Sequence, residues 1–326
     1  MKIKRNMLCL SIVAAGMTSF QPTFAQQTDY PNKSVRVIVP YGPGGGVDTF
    51  TRPLAQQLGQ MLGQQFVVDN RAGAGGTIGV KAAATATPDG YTILSGGVHQ
   101  PMAESLYPNR GYDMAKDFVP IALTAVVPNV LVIRPALPFK NVSDIINFAK
   151  ANPGKLTFCS SGTGTSQHII AEMFKGETGV EMLHVPHKGT AAAMTTLLSG
   201  NCDMMFDGLA TSISNIKGGN LKALALTTAS RSKEYPDIPT MKEAGGPAMD
   251  AGTWYGWWVP VGTPANVLAK LRKDVTAALQ SPEIQAAWKK QGAEVPKVAT
   301  SNVENYVRDE IKRWIKTNQD AKIRVE

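Results

Sequence analysis

The sequence has little cysteine and histidine, and after its N-terminus it has no long hydrophobic run. It contains three cysteines and four histidines in 326 residues. His184 and His187 are three residues apart, but no Cys or Glu stands at a supporting spacing, so no metal site is predicted. A membrane helix needs roughly 20 consecutive apolar residues. Because no stretch after residue 17 approaches that length, the remaining chain is predicted to be soluble.

Motifs of common enzymes and nucleotide-binding proteins are also missing. The sequence has no Gly-x-Ser-x-Gly elbow, no His-Glu-x-x-His helix and no cysteine with a convincing base. Its glycine-rich turns match neither Gly-x-Gly-x-x-Gly nor a phosphate loop. Lys and Arg residues are scattered without interleaved aromatics, so nucleic acid is not an expected partner. Binding without catalysis or a cofactor is the simpler interpretation.

The first 25 residues predict a secretory signal. Basic residues at Met1 to Arg5 precede an apolar run from Met7 to Met17, and Thr23 to Ala25 supplies a small-residue cleavage site. We therefore expect residues 1–25 to be removed and the protein to be periplasmic. Loss of the three basic residues in this segment lowers the net charge from +8 to +5. A mildly positive surface suits anionic ligands.

The other two cysteines are Cys159 and Cys202. An oxidising compartment permits a disulfide between them. However, the strand pattern places Cys159 near the end of one parallel strand and Cys202 before the start of another. We therefore expect two free thiols that are buried as small apolar residues.

Short β-branched strands alternate with helical patterns along the chain. The first block runs from Val35 to Leu94, and a second block runs from Ser143 to Phe206. This alternation predicts an α/β fold in which each lobe is a mainly parallel sheet flanked by helices. Without its signal, the chain also exceeds the size of about 250 residues at which single cores stop growing. Two lobes are therefore expected.

An apolar segment from Val119 to Ile133, interrupted at Pro128 and Asn129, predicts the first crossover between the lobes. The strand from Leu221 to Thr227 then predicts the return. These boundaries assign residues 26–126 and 228–326 to lobe 1 and residues 127–227 to lobe 2. The aromatic strand from Trp254 to Pro260 and the helices after it are interpreted as structural.

Three glycine-rich turns each follow a predicted strand and open a predicted helix. They span Tyr41 to Asp48, Asn70 to Thr77, and Ser160 to Ser166. Glycine allows close approach of the backbone to a ligand, and the first turn of a helix offers unpaired N–H groups that bind anions. In a parallel sheet such turns lie at the carboxyl ends of the strands, where ligands bind. A single turn would be weak support, but three together favour an anion site.

The polar side chains near these turns have alternative roles. Asp48 is more consistent with helix capping than with ligand contact, and Asp207 either caps a helix near Thr211 or contacts the ligand. His168 is equally consistent with ligand binding and with a core position. His187 and Lys188 form a polar loop beside the third turn. The candidate ligand-binding residues are Tyr41, Gly42, Gly44, Gly45, Gly46, Asp48, Gly73, Ala74, Gly75, Gly76, Thr77, Ser161, Gly162, Thr163, Gly164, Ser166, His168, His187, Lys188 and Asp207.

These segments resemble the Bug family, the periplasmic receptors of tripartite tricarboxylate transporters. The resemblance covers the whole exported chain in order, through Pro40 to Asp48, Asn70 to Gly76, Ser161 to His168, His184 to Gly189, and Gly262 to Pro264. It implies a hinge-closing, two-lobed fold of the type II periplasmic-binding-protein class, and it implies that the turns line the cleft.

The chain also departs from the family pattern. His187 stands where a tyrosine is more usual, Tyr41-Gly42-Pro43 replaces an aromatic residue followed by two prolines, and Cys159 replaces a small residue. The first two changes fall in the expected cleft, so the sequence does not identify the ligand.

The resemblance implies a solute-binding protein that captures a small organic carboxylate and delivers it to membrane components of such a transporter, and we expect a monomer. We expect the two lobe 1 turns to hold a carboxylate through backbone amides, and the lobe 2 turn to decide which carboxylate is bound. The alternatives are a secreted carboxylate-binding sensor and a secreted lyase or isomerase that uses His168 and Asp207.

Overall fold

The computed structural model describes residues 29–299 and 302–320. The predicted signal at residues 1–25 lies outside this range. Nine strands and eleven α-helices alternate in the described residues. The strands are β1 (Val35–Val39), β2 (Phe66–Asn70), β3 (Thr92–Gly97), β4 (Phe118–Ile133), β5 (Leu156–Ser160), β6 (Met182–Pro186), β7 (Met204–Gly208), β8 (Lys222–Leu226) and β9 (Gly252–Pro260).

The helices follow the strands in the predicted alternation, with two additions between β3 and β4. Those additions, α3 and α4, have no counterpart in the sequence interpretation. The helices are α1 (Gly46–Leu62), α2 (Thr77–Ala84), α3 (His99–Leu106), α4 (Met114–Asp117), α5 (Val142–Ala151), α6 (Ser166–Thr178), α7 (Thr190–Leu198), α8 (Leu209–Lys217), α9 (Ala265–Leu279), α10 (Pro282–Lys290) and α11 (Val303–Asp320). In the described part of the chain, no helix is both long and apolar enough to span a bilayer.

The strands form two halves of a mixed sheet. In the first half, β1 lies between its parallel partners β2 and β3, and β9 pairs antiparallel with β3 and with the start of β4. In the second half, β5 lies between its parallel partners β6 and β7, and the end of β4 pairs antiparallel with β7 and β8. We refer to these halves, with the helices that cover them, as the first and second lobes.

Strand β4 runs through both lobes without interruption. The sequence predicted a break at Pro128 and Asn129, and this prediction is wrong. Pro128 lies opposite Gly252, the first residue of β9, and from Asn129 onward the partners are β7 and β8. Proline lacks an N–H group, which a central strand normally needs. Here it stands where the strand changes partners, so the crossover is made by one strand of 16 residues.

Three apolar clusters support the fold. Val37 and Trp257 belong to a core of the first lobe that continues into the second lobe, and Leu94 and Trp258 belong to another core of the first lobe. Phe158 and Phe174 belong to the core of the second lobe, which also includes side chains from the segment after β8, such as Met241 and Met249. The predicted lobe boundaries stay predictions, but this packing favours a return to the first lobe later than residue 228.

Cys159 and Cys202 are joined by a disulfide, so the prediction of two free thiols is wrong. The strand that contains Cys159, β5, is a direct neighbour of β7, and Cys202 lies two residues before β7. The two Cα atoms are therefore only 6.2 Å apart, within the range that a disulfide spans. Strand order in the chain concealed this proximity, because β6 separates β5 from β7 in sequence but lies on the other side of β5.

Candidate functional site

The three glycine-rich turns meet at one cleft between the lobes. The first two turns follow β1 and β2 in the first lobe, and the third follows β5 in the second lobe. They enclose a cavity of about 300 Å³, which is the size of a small-ligand pocket. The lining residues are Tyr41, Gly42, Ala72, Gly73, Ala74, Gly75, Gly76, Ser161, Gly162, His187, Lys188 and Gly189.

A second, smaller compartment of about 30 Å³, which we call the inner compartment, adjoins the cavity and shares Tyr41, Ser161 and Gly189 with it. Most of its lining residues have polar side chains, and its volume is sufficient for one or two water molecules. The lining residues are Tyr41, Gly45, Gly46, Val47, His99, Ser161, Ser166, Gln167, Gly189, Thr190, Asp207, Gly208, Thr211, Thr253 and Tyr255.

The turns of the first lobe offer backbone donors. Among the described residues, the N–H groups of Gly46 and Val47 in the first turn of α1 donate no hydrogen bond, nor do those of Ala74 and Gly75. Gly75 has φ of +61°, and a Cβ atom there would lie 2.6 Å from the hydroxyl of Tyr107. The backbone is therefore accessible only because no side chain is present. Unpaired amides at a helix start bind anions.

Asp48 stabilises the first turn from within. Its carboxylate accepts hydrogen bonds from the Gly44 N–H at 3.0 Å, from Arg52 at 2.8 Å and from Asn70 at 3.0 Å. Burial alone would raise the pKa of Asp48, but these hydrogen bonds outweigh burial and lower the pKa below its usual range. Asp48 and Gly44 line neither compartment. Thr77 also lies outside both, and its hydroxyl donates to the Ala74 carbonyl at 2.9 Å.

In the second lobe, Ser161 is fixed by a buried chain of hydrogen bonds. Gln167 accepts from the Ser161 N–H at 2.5 Å and donates to Asp207 at 2.6 Å. Asp207 also accepts from the hydroxyls of Thr211 at 2.5 Å and Ser212 at 2.6 Å. Burial raises the pKa of Asp207, although its hydrogen bonds act in the opposite direction. Asp207 lines the inner compartment, and its main role there is to hold Gln167 in place through a hydrogen bond.

The remaining residues of the third turn contact the first lobe. The hydroxyl of Tyr107 donates to the carbonyl of Thr163 at 2.8 Å, and a Cβ atom on Gly164 would lie 3.0 Å from the Tyr107 ring. The Ser166 N–H donates to Nδ1 of His99 at 3.3 Å. Thr163 and Gly164 thus lie at a contact between the lobes and do not line the cavity.

His187 lines the cavity, but both of its ring nitrogens have partners in the protein. Nδ1 lies 2.9 Å from the Val185 carbonyl, and Nε2 lies 2.7 Å from the Thr196 hydroxyl. The adjacent Lys188 is exposed and, within the described residues, takes part in no ion pair. Lys188 is therefore the cation available to a ligand at the mouth of the cavity.

His168 lies outside both compartments. Its ring is buried in the second lobe, stacks on His184 with 4.2 Å between ring centroids, and accepts a hydrogen bond from the Gly164 N–H at 3.1 Å. The sequence left ligand binding and a core position open for His168, and this arrangement matches the core position. Among residues 29–299 and 302–320, no group of three or more His, Cys, Asp or Glu side chains is arranged to hold a metal ion.

Several residues at the cleft were not identified from the sequence. Gln167 and Thr190 lie in the first turns of α6 and α7, directly after turns that were identified, so their position was a usable signal. His99 and Tyr107 lie at the two ends of α3, which was not predicted. Tyr255 lies within the aromatic strand that was interpreted as packing, and its hydroxyl borders the inner compartment.

Comparisons with known proteins extend over nearly the whole chain. A family model described as the tripartite tricarboxylate transporter family receptor matches residues 50–322. The structure of the periplasmic binding protein BugD is 36% identical, with a TM-score of 0.87 over 91% of this chain and 100% of that one. An R. palustris protein solved with adipate is 34% identical, with a TM-score of 0.87 over 91% and 99% of the two chains.

MatC from Rhodopseudomonas palustris, solved with bound malate, is 31% identical. It has a TM-score of 0.84 over 88% of this chain and 99% of that one. These similarities confirm the predicted α/β fold of a two-lobed periplasmic binding protein.

Proposed function

The chain belongs to the tripartite tricarboxylate transporter receptor family, as its Bug-like motifs indicated, and we propose that it captures a small organic carboxylate between its lobes. The family consists of binding receptors, and its solved member BugD is a periplasmic binding protein. The protein acts in the periplasm as a monomer without catalysis and delivers its ligand to membrane components of a tripartite transporter.

One observation carries this proposal. The unpaired N–H groups of two glycine turns in the first lobe belong to residues that line the cleft between the lobes, and no side chain carboxylate lines the larger cavity, where a ligand would lie. Such groups hold an oxyanion directly or through water. Ser161 lies opposite them and borders both compartments. The proposed ligand contacts are therefore Tyr41, Gly45 to Val47, Ala74, Gly75, Ser161 and Lys188.

The cavity favours a dicarboxylate of about four to six carbons. Its volume of about 300 Å³ is at the lower end for ligand pockets. One carboxylate would accept hydrogen bonds from the backbone amides of the first lobe, and the second would approach the ammonium group of Lys188 at the cavity mouth. Two relatives support this size, since their structures contain malate and adipate.

The enzyme alternative has less support. A lyase or isomerase would need His168 and Asp207 free to exchange protons with a ligand. His168 lies outside both compartments, and both Asp207 oxygens accept hydrogen bonds from neighbouring side chains. A sensor that binds the same carboxylates remains compatible with this site, and pull-down of transporter membrane subunits distinguishes it from a transport receptor.

The test is calorimetric titration of residues 26–326 with malate, adipate, citrate and a monocarboxylate. We expect saturating binding and a rise in melting temperature, because a ligand that binds only the folded state stabilises it by mass action. Gly75→Ala should abolish binding, since the new Cβ would meet the Tyr107 hydroxyl.

Gly154→Ala is the matched control. Gly154 has φ of +69° but no atom within 4 Å of an added Cβ, so this variant carries similar backbone strain without blocking the cleft. It should bind as the wild type does. If none of the carboxylates binds, or if Gly75→Ala binds normally, the proposed site is wrong.

A further inference from the structure

We propose that the stacked imidazoles of His168 and His184, in their neutral forms, position the glycine turn of the second lobe for ligand binding. This role rests on the proposed function, because the turn is part of the proposed carboxylate site. Neither histidine touches the cavity. Their effect on a ligand would therefore be transmitted through the backbone of residues 160–164.

The two rings form a compact stack behind the turn. Their centroids are 4.2 Å apart with an interplanar angle of 18°, and Phe158 stacks against His184 at 4.8 Å and against His168 at 6.4 Å. His168 comes from the first turns of α6, His184 from β6 and Phe158 from β5. Three elements of the second lobe thus fix the ring positions together.

Each histidine holds one end of the turn. Nδ1 of His168 accepts from the Gly164 N–H at 3.1 Å. Nε2 of His184 lies 2.6 Å from the Ser160 hydroxyl, which also accepts from the Gly162 N–H at 3.2 Å. Between these ends, Ser161 and Gly162 line the cavity. The histidines therefore support the turn on one side while its middle faces the ligand on the other.

Other contacts keep the turn folded without the histidines. Gln167 accepts from the Ser161 N–H, and the N–H groups of His187 and Gly189 donate to the carbonyls of Ser160 and Ser161 at 3.0 and 3.1 Å. Loss of a histidine contact should therefore displace the turn and leave the lobe folded. This separation makes a positioning role distinguishable from a general contribution to stability.

The contact with Gly164 also requires one protonation state. Nδ1 of His168 accepts a hydrogen bond only when it carries no proton. The charged groups near the pair are Glu172 and Lys175 on α6, which form an ion pair at 2.8 Å, and the ring of His187 after β6. The Glu172 carboxylate lies 3.9 Å from Nε2 of His168.

Burial, with a smaller contribution from Lys175, lowers the pKa of His168 to about 4. Burial is also the main cause that lowers the pKa of His184 to about 4, and His168 adds to it. Both rings are consequently neutral near pH 7. Protonation of Nδ1 would place two donors face to face and displace Gly164, so carboxylate affinity should fall in acid.

Conservative variants separate the hydrogen bond from the imidazole. In His168→Asn the side chain oxygen can occupy the position of Nδ1 and accept from Gly164, whereas His168→Leu leaves the Gly164 N–H without a partner. We expect malate or adipate, whichever binds the wild type, to bind His168→Asn within about threefold. Binding to His168→Leu should be weaker by about tenfold, the effect of one unsatisfied buried donor.

The pH profile supplies the second readout. Wild-type affinity should decline as the pH falls through about 4, where the two histidines become protonated, more steeply than that of the double variant His168→Asn/His184→Gln, which has no imidazole to protonate at this position. Titration of the ligand itself affects both proteins equally. Identical pH profiles, or normal binding by His168→Leu, would overturn the positioning role alone. Absence of binding by the wild type would overturn the proposed function as well.

Discussion

Removal of the Cys159–Cys202 disulfide tests the strand order. The loss of stability that it should cause follows from the length of the loop that the bond closes. The bond closes a loop with a sequence separation of 43 residues. In the chain-entropy model, opening such a loop restores about 13 cal/mol/K to the unfolded chain, or about 4 kcal/mol at 25 °C. Both cysteines are buried, so the reduced thiols still fill the same space. We expect the free energy of unfolding to fall by about this amount.

The assay compares urea unfolding of residues 26–326 in two states. One sample is oxidised, and the other is unfolded, reduced and refolded with reductant present. Cys9 lies outside this range, so Cys159 and Cys202 are the only cysteines in residues 26–326. Alkylation of the unfolded, unreduced protein should add no label. Two labels on that sample, or equal unfolding midpoints for the two states, would refute the bond and restore the expectation of free thiols.

Two further predictions concern the contacts of α3. Tyr107→Phe removes the hydrogen bond to Thr163 and should weaken ligand binding by about 1 kcal/mol, mainly through faster dissociation in stopped-flow measurements. Tyr91→Phe, which loses a bond to Asn32 far from the cleft, should not. Burial lowers the pKa of His99 to about 4, below the unfolded value of about 6.5. The stability from neutral His99 is therefore present above pH 6.5 and is lost as the pH falls through 4. A pKa shift of that size is worth about 3 kcal/mol of folding stability. In His99→Asn the melting temperature should therefore vary less with pH between 6.5 and 4.

The sequence predicted the parts of the site that depend on local chemistry. A strand, a glycine turn and a helix start are adjacent in the chain, so the lining residues of the turns were identified from composition and order, namely Gly42, Gly45, Gly46, Gly73 to Gly76, Ser161 and Gly162. Side chains in the first turn after each glycine turn, such as Gln167, could have been identified by the same rule. The family motifs gave the fold, which the solved relatives confirm.

The parts that were missed depend on which elements become neighbours. Gln167 and Asp207 are 40 residues apart in the chain, and Tyr107 and Thr163 are 56 apart. Nothing in the local pattern relates them. The same limitation explains the disulfide, since pairing of β5 with β7 is a choice of strand order that alternation alone does not determine. Helix α3 was missed because it has only eight residues and carries a proline at its third position.

The two lobes hold their turns by different means, and this difference bears on how selectivity can change. In the first lobe, the donors are backbone amides whose positions are set by glycine conformation and by Asp48, so most substitutions there remove binding. In the second lobe, the turn is positioned by side chains behind it, namely Gln167, His168 and His184. Substitutions of those supports shift Ser161 and Gly162 without entering the cavity. We therefore expect changes of ligand preference to arise behind the turn of the second lobe, where a displacement would alter the fit of a ligand but leave in place the amides that we propose bind its first carboxylate.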